Sequence, residues 1–171
     1  MDSKITIGIS ACLLGQNTRY DGGNRHEPLL VAALNQIVTL VPLCPEAECG
    51  MGIPREPMQL EGDPENPRLV TVTTRRDLTA PMQAWAARRL NALVAEGIAG
   101  LVLKARSPSC GKRVAVHGKG EGKTASSPGL FAGLVMARLP TLPIADEEEL
   151  RDPARLADFL ARLPGRAAPS R

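Results

Sequence analysis

Short apolar runs alternate with longer amphipathic stretches along this chain, and each repeat of that alternation predicts a strand followed by a helix. Residues 5–10 read as a strand, with Cys12 directly after it. A loop of turn formers (Gly15, Asn17, Asp21, Gly22, Gly23, Asn24) leads to a helix over 28–37. In it Leu29, Leu30, Ala33, Leu34 and Ile37 make one apolar stripe, and Pro28 suits the first turn. Residues 38–43 form a continuous apolar run of the kind found inside a parallel sheet, and Cys44 stands at its end.

The next segment, 45–67, is dense in proline and glycine and is expected to be mostly loop, with a short strand over 69–73 pairing with 58–60. A long helix follows over 79–96, placing Met82, Ala86, Leu90, Leu93 and Val94 toward the core, and Gly97 stops it. Residues 100–104 are a third buried strand, followed by the loop Ser107-Pro108-Ser109-Cys110-Gly111. Residues 113–117 form a further strand, Ser127-Pro128 opens a helix through Arg138, 142–145 is a short strand, and Asp152-Pro153 opens the last helix.

Strands alternating with helices, with apolar strand interiors, predict a single α/β domain over 1–163. Its central sheet is largely parallel and flanked by helices; residues 164–171 are expected to be a disordered tail. Right-handed crossovers bring the carboxyl ends of the main strands to one edge, where ligands bind in such folds.

Composition narrows the setting. At 171 residues the chain is long enough for one ordinary core. Aliphatic side chains must build it, because the only aromatics are Trp85, Tyr20, Phe131 and Phe159. A net charge of +3 argues against a general coat for polymeric nucleic acid and leaves room for a local phosphate site. Neither a signal-peptide pattern nor a membrane-spanning run is present, so a reducing cytoplasm is the expected compartment. There, widely spaced cysteines are metal or catalytic residues more often than disulfide partners. The plain alternative is that each is a buried structural thiol.

Cys12, Cys44 and Cys110 each follow a predicted strand within a few residues, so they are expected to meet in one crevice. Three thiolates suit zinc or an iron–sulfur cluster, and either leaves one coordination position open. No C-x-x-C pair is present, which argues against a structural zinc knuckle. Cys49, on a Gly/Pro-rich loop, is a possible fourth ligand. Glu46 and Ser107 are placed for proton transfer, although Glu46 capping a loop and Ser107 making a turn hydrogen bond are the ordinary readings. Tyr20 is suited to stacking on a flat ring, or is a common half-buried tyrosine. Arg19, Arg25, Arg55, Lys104, Arg106 and Lys112 are candidate phosphate contacts, each of them also an ordinary surface charge.

The segments Ser10-Ala-Cys-Leu-Leu-Gly15, Arg19-Tyr-Asp-Gly22, Cys44-Pro-Glu46 with Pro54-Arg55, and Lys104-Ala-Arg-Ser-Pro-Ser-Cys-Gly111 resemble the thiouracil desulfidase (TudS) family, over about residues 4–145. The resemblance implies a [4Fe-4S] cluster on Cys12, Cys44 and Cys110, with the fourth iron free to bind the sulfur of a thiolated pyrimidine. Glu46 and Ser107 take the places of the acid/base and its assistant. Tyr20, Arg19 and Arg106 are the expected substrate contacts. The implied substrates are 2-thiouracil and 4-thiouridine monophosphate, the products are the oxo base and sulfide, and the cluster-assembly machinery is an implied partner. Cys49 falls where the family motif tolerates other residues.

The stretch His117-Gly-Lys-Gly-Glu-Gly-Lys-Thr124 is not a phosphate-binding loop, since its first required glycine position is His117. Two rival readings remain at this level. One is a three-cysteine zinc hydrolase acting on a nucleobase. The other is a non-catalytic iron–sulfur redox or sensor module, which needs a closed ligand set that includes Cys49 or another residue.

Overall fold

The computed structural model describes residues 4–118 and 125–165. In chain order these form β1 (Ile5–Ser10), a 3-10 turn (Ala11–Leu14), α1 (Pro28–Asn35), β2 (Val38–Leu43) and α2 (Pro45–Glu48). Then come β3 (Met58–Asp63), β4 (Asn66–Thr71), α3 (Thr79–Ala95), β5 (Leu101–Leu103), β6 (Val114–His117) and β7 (Ala125–Ser127). The chain closes with α4 (Leu130–Arg138), β8 (Ile144–Asp146), α5 (Glu147–Leu150) and α6 (Pro153–Arg162). The segment 119–124 of the rejected phosphate-loop motif and residues 166–171 of the expected tail lie outside the described residues.

The main sheet is parallel throughout, in the order β2-β1-β5-β8. Its register sets Ser10 opposite Leu43, Ile9 opposite Val102, and Leu103 opposite Asp146, so four chain exits share one edge. Alternation along the strands then splits the interior in two. Ile7, Ile9 and Val102 face a core closed by Leu30 and Leu34 of α1 and Phe159 of α6. Leu43, Leu101 and Leu103 face the opposite way, toward Met82, Trp85, Leu90 and Leu93 of α3 and Phe131 of α4. Gly8 of β1 is required on that face, because a Cβ there would lie 2.6 Å from a Leu101 methyl and 2.9 Å from one of Leu43.

A second, mixed sheet in the order β4-β3-β6-β7 was not anticipated as a unit. The pairing of 58–60 with the strand after it is as expected: β3 and β4 are antiparallel, with Leu60 opposite Leu69. The hairpin is longer than its apolar residues suggest, because polar Glu61, Asp63 and Asn66 continue the ladder. Three local expectations are corrected. β2 is an edge strand, only partly buried, where Pro42 is tolerated for lack of a further neighbour on that side. The helix expected from Ser127-Pro128 begins at Leu130, Ser127 being the end of β7. Val94 is 53% exposed while Trp85 is buried. Both sit about 90° from the centre of the α3 apolar stripe, and α4 covers only the Trp85 side, with its ring 5.3 Å from that of Phe131.

The N-terminus of α4 is built into the Ser107–Gly111 loop. The N–H groups of Leu130 and Phe131 donate to the carbonyls of Pro108 (3.1 Å) and Ser109 (3.0 Å), and the N–H of Gly129 donates to that of Gly111 (2.8 Å). Loop carbonyls thus satisfy first-turn donors that a helix cannot satisfy itself. This closeness requires Gly129, where a Cβ would fall 2.6 Å from the Ser109 carbonyl carbon. Gly129→Ala is expected to cost about 1–3 kcal/mol, as overpacking against backbone does, measured as a lower midpoint of chemical denaturation.

Candidate active site

Each cysteine is delivered by a strand end and then held by local turn chemistry. Cys12 lies in the 3-10 turn after β1, and its carbonyl accepts from the N–H groups of Gly15 (3.3 Å) and Arg25 (3.0 Å). Cys44 caps α2, which Pro45 initiates at the position where a missing N–H does no harm. Its N–H donates to Glu48 Oε2 (2.8 Å), and its Sγ–H to the Thr18 carbonyl (3.7 Å). Cys110 lies in the loop after β5, with its N–H donating to Ser107 Oγ (3.1 Å).

The three thiols line one pocket of about 380 Å³, together with Ser10, Arg19, Tyr20, Arg25, Glu46, Arg55, Lys104, Arg106, Ser107 and Ser109. That volume lies within the range of small-molecule sites. The convergence expected from the strand ends is therefore observed, and Glu46, Ser107, Tyr20, Arg19 and Arg106 surround it. Cys49 is not part of it. It ends α2, packs against the larger core and lines a neighbouring pocket with Met51, Glu56 and Arg76. The closed ligand set of a redox module thus has no fourth cysteine in this pocket.

Burial governs the electrostatics. It pushes the Cys12 thiol up to about 11, with Lys104 pulling the other way. It pushes Cys110 up to about 12, against a hydrogen bond from Ser10. Both thiols are protonated near neutral pH, so uptake of a metal centre releases protons and is favoured at higher pH. Burial also lifts the Glu46 carboxyl above the ordinary carboxylate range, and the Arg55 guanidinium opposes that rise.

Arg55 is buried, with a side-chain exposure of 6%, and its contacts show what it does. Its Nη2 donates to the Thr18 carbonyl (2.9 Å) and lies 3.4 Å from Glu46 Oε2, while Nη1 donates to the Gly52 carbonyl (2.8 Å). Glu46 is therefore an ion-paired pocket carboxylate rather than a loop cap. Ser107 does make the turn contacts expected of a loop serine, its Oγ accepting from the N–H groups of Ser109 (3.3 Å) and Cys110. The same Oγ lies 3.1 Å from that of the fully buried Ser109.

The candidate cations divide by what already holds them. Lys112 is tied to Glu149 (2.9 Å) and Arg106 to Glu148 (2.9 Å), with the Arg106 side chain largely exposed. Arg55 and Lys104 are held inside the wall. Arg19 lies 5.4 Å from the Tyr20 ring centroid and 3.4 Å from Asp21, at the pocket mouth, with Arg25 nearby. Sequence reasoning missed Ser109 and Glu147. Glu147 stands in a run of three glutamates that reads as a solvated face, yet it is 2% exposed; nothing local distinguishes it from Glu148.

The donor set fits a multi-iron group, because three soft thiols suit the irons of a sulfide core. Among the described residues no three His, Cys, Asp or Glu side chains are grouped to hold one metal ion. No helix among the described residues is long and apolar enough to cross a membrane.

Comparison with known proteins agrees with this geometry. The uncharacterized protein YbbK of Bacillus subtilis (strain 168) is 27% identical over 151 residues, covering 85% of this chain and 98% of its own length. A solved structure described as the [4Fe-4S]-dependent thiouracil desulfidase TudS superposes with a TM-score of 0.72 at 31% identity. That match covers 91% of this chain and 99% of the other. Residues 7–147, which include all three pocket cysteines, match the 2-thiouracil desulfurase family model, and the chain belongs to that family.

Proposed function

We propose that this chain is a [4Fe-4S]-dependent desulfidase that removes sulfur from a thiolated pyrimidine, 2-thiouracil or 4-thiouridine monophosphate, giving the oxo base and sulfide. The observation that carries the reading is three thiols from separate strand ends in one pocket with a largely buried, ion-paired carboxylate. Cys12, Cys44 and Cys110 hold the cluster. When bound, it supplies an open iron, a soft Lewis acid matched to a thiocarbonyl sulfur.

The chain's own residues do the rest. Glu46 takes a proton from the water that attacks the ring carbon and returns it to the ring nitrogen or the departing sulfur. Arg55 holds that carboxylate in the pocket. Ser107, pinned by two backbone N–H groups, assists with its hydroxyl. Tyr20 stacks on the pyrimidine and Arg19 meets a substrate phosphate at the pocket mouth, with Arg106 the outermost contact. The enzyme is a single domain over 1–163, works in the cytoplasm, and receives its cluster from the assembly machinery.

Protein purified without oxygen is expected to carry about four irons and four sulfides per chain and to release sulfide from one or both compounds. Cys110→Ala should lose both cluster and sulfide release, while Cys49→Ser keeps both. Stoichiometric zinc without iron overturns the reading.

Glu46→Gln preserves the shape of the side chain and removes the base. It is expected to keep its iron and lower kcat by about 10²–10⁴-fold, the range for loss of a general acid or base, read from sulfide release under saturating substrate.

Arg106 has a φ of 66°, in the left-handed region that disfavours side chains. Arg106→Gly is expected to unfold no more readily than the parent, since it relieves the left-handed strain of about 1–2 kcal/mol and loses only an exposed ion pair. Arg106→Val should lower the unfolding midpoint, and a raised KM in Arg106→Gly tests the substrate contact separately.

A further inference from the structure

The strand-end loop that carries Cys110 is bolted from outside by three consecutive glutamates. Glu147 pairs with Lys104, Glu148 with Arg106 and Glu149 with Lys112. The first pair differs from the others in being interior. Lys104 Nζ lies 2.6 Å from Glu147 Oε1 and donates to the Ala105 carbonyl (2.9 Å), while Glu147 Oε2 accepts from the Ala105 N–H (2.8 Å). The Lys104 N–H donates to Ser10 Oγ (2.8 Å). Lys104 thus has its ammonium fixed by the ion pair and its backbone fixed to β1, in the wall of the cysteine pocket.

A buried ion pair is a poor source of stability, because desolvation consumes most of the attraction. Its place here makes sense if the ammonium acts on what the pocket holds. Three thiolates on an iron–sulfur core leave a net negative charge, and the potential of such a core follows the charge and hydrogen bonding around it. Lys104 lines the same pocket as the three cysteines, and its ammonium and the Glu147 carboxylate act on Cys12 with opposite sign.

We propose that Lys104 is the cation that offsets the negative charge of the cluster site, and that Glu147 is a positioning residue that fixes its ammonium and tempers its charge. This rests on the cluster reading given above. A structural brace and a charge-setting pair predict different outcomes. Removing the positive charge disfavours adding an electron to the cluster, and removing the negative charge favours it.

The test is the midpoint potential of the cluster in anaerobically purified protein, followed by electron paramagnetic resonance, with iron content measured in parallel. Lys104→Gln is expected to shift the midpoint to more negative values and Glu147→Gln to more positive values. Lys104→Arg should stay near the parent, and the double variant Lys104→Gln/Glu147→Gln should fall between the single ones. Should one single variant fail to fold, the other against the parent still tests the sign, Lys104→Gln lower and Glu147→Gln higher. Iron-loaded variants whose midpoints do not move, or all move the same way, overturn the inference while leaving the desulfidase reading intact. A parent protein without a cluster overturns both.

Discussion

The parallel register of β1 with its two neighbours is the constraint on which the site depends. Hydrogen bonding sets Ser10 level with Leu43 on one side, and β5 and β8 continue the same alignment to Asp146. A parallel sheet delivers each strand end to the same edge, so residues far apart in sequence become neighbours without any long-range contact of their own. Cys12, Cys44, Cys110 and Glu147 are all products of that one geometric fact. A slip of one residue in β1 would turn Ile7 and Ile9 to the wrong face and carry the Cys12 turn out of level with the others.

Around that edge the chain spends its polar groups economically. The carbonyls of the Cys110 loop serve the first turn of α4, the Thr18 carbonyl serves both Cys44 and Arg55, and Ser107 Oγ serves two backbone donors. Each such sharing removes a degree of freedom from a pocket residue without adding a new element. The Cys110 loop is tied to α4 by those backbone hydrogen bonds, and Gly129 is the small residue that lets the two approach.

What was legible in the sequence was whatever depends on a local pattern. The runs 5–10 and 38–43 announced β1 and β2 by apolarity, and the cysteines following three runs announced the pocket. The interior position expected for β2 failed because apolarity alone does not distinguish a central strand from an edge strand with one covered face. The second sheet was hidden because β3 and β4 mix Leu60 and Leu69 with charged positions and a proline. Val94 and Trp85 flank their helical stripe equally, and only the placement of α4 decides between them. Glu147 was illegible for the same reason: its burial is set by Lys104 and Ala105 of the loop after β5.

The drawing of three thiols from three different strand ends ties the pocket to the chain's order of synthesis. Cys12 leaves the ribosome first, and the loop with Cys110 is braced only when the glutamates of α5 arrive. A nascent chain therefore presents isolated thiols for most of its emergence and a complete set only near the end. Whatever binds all three reads the finished fold, and its grip adds to the stability of the sheet that presents them.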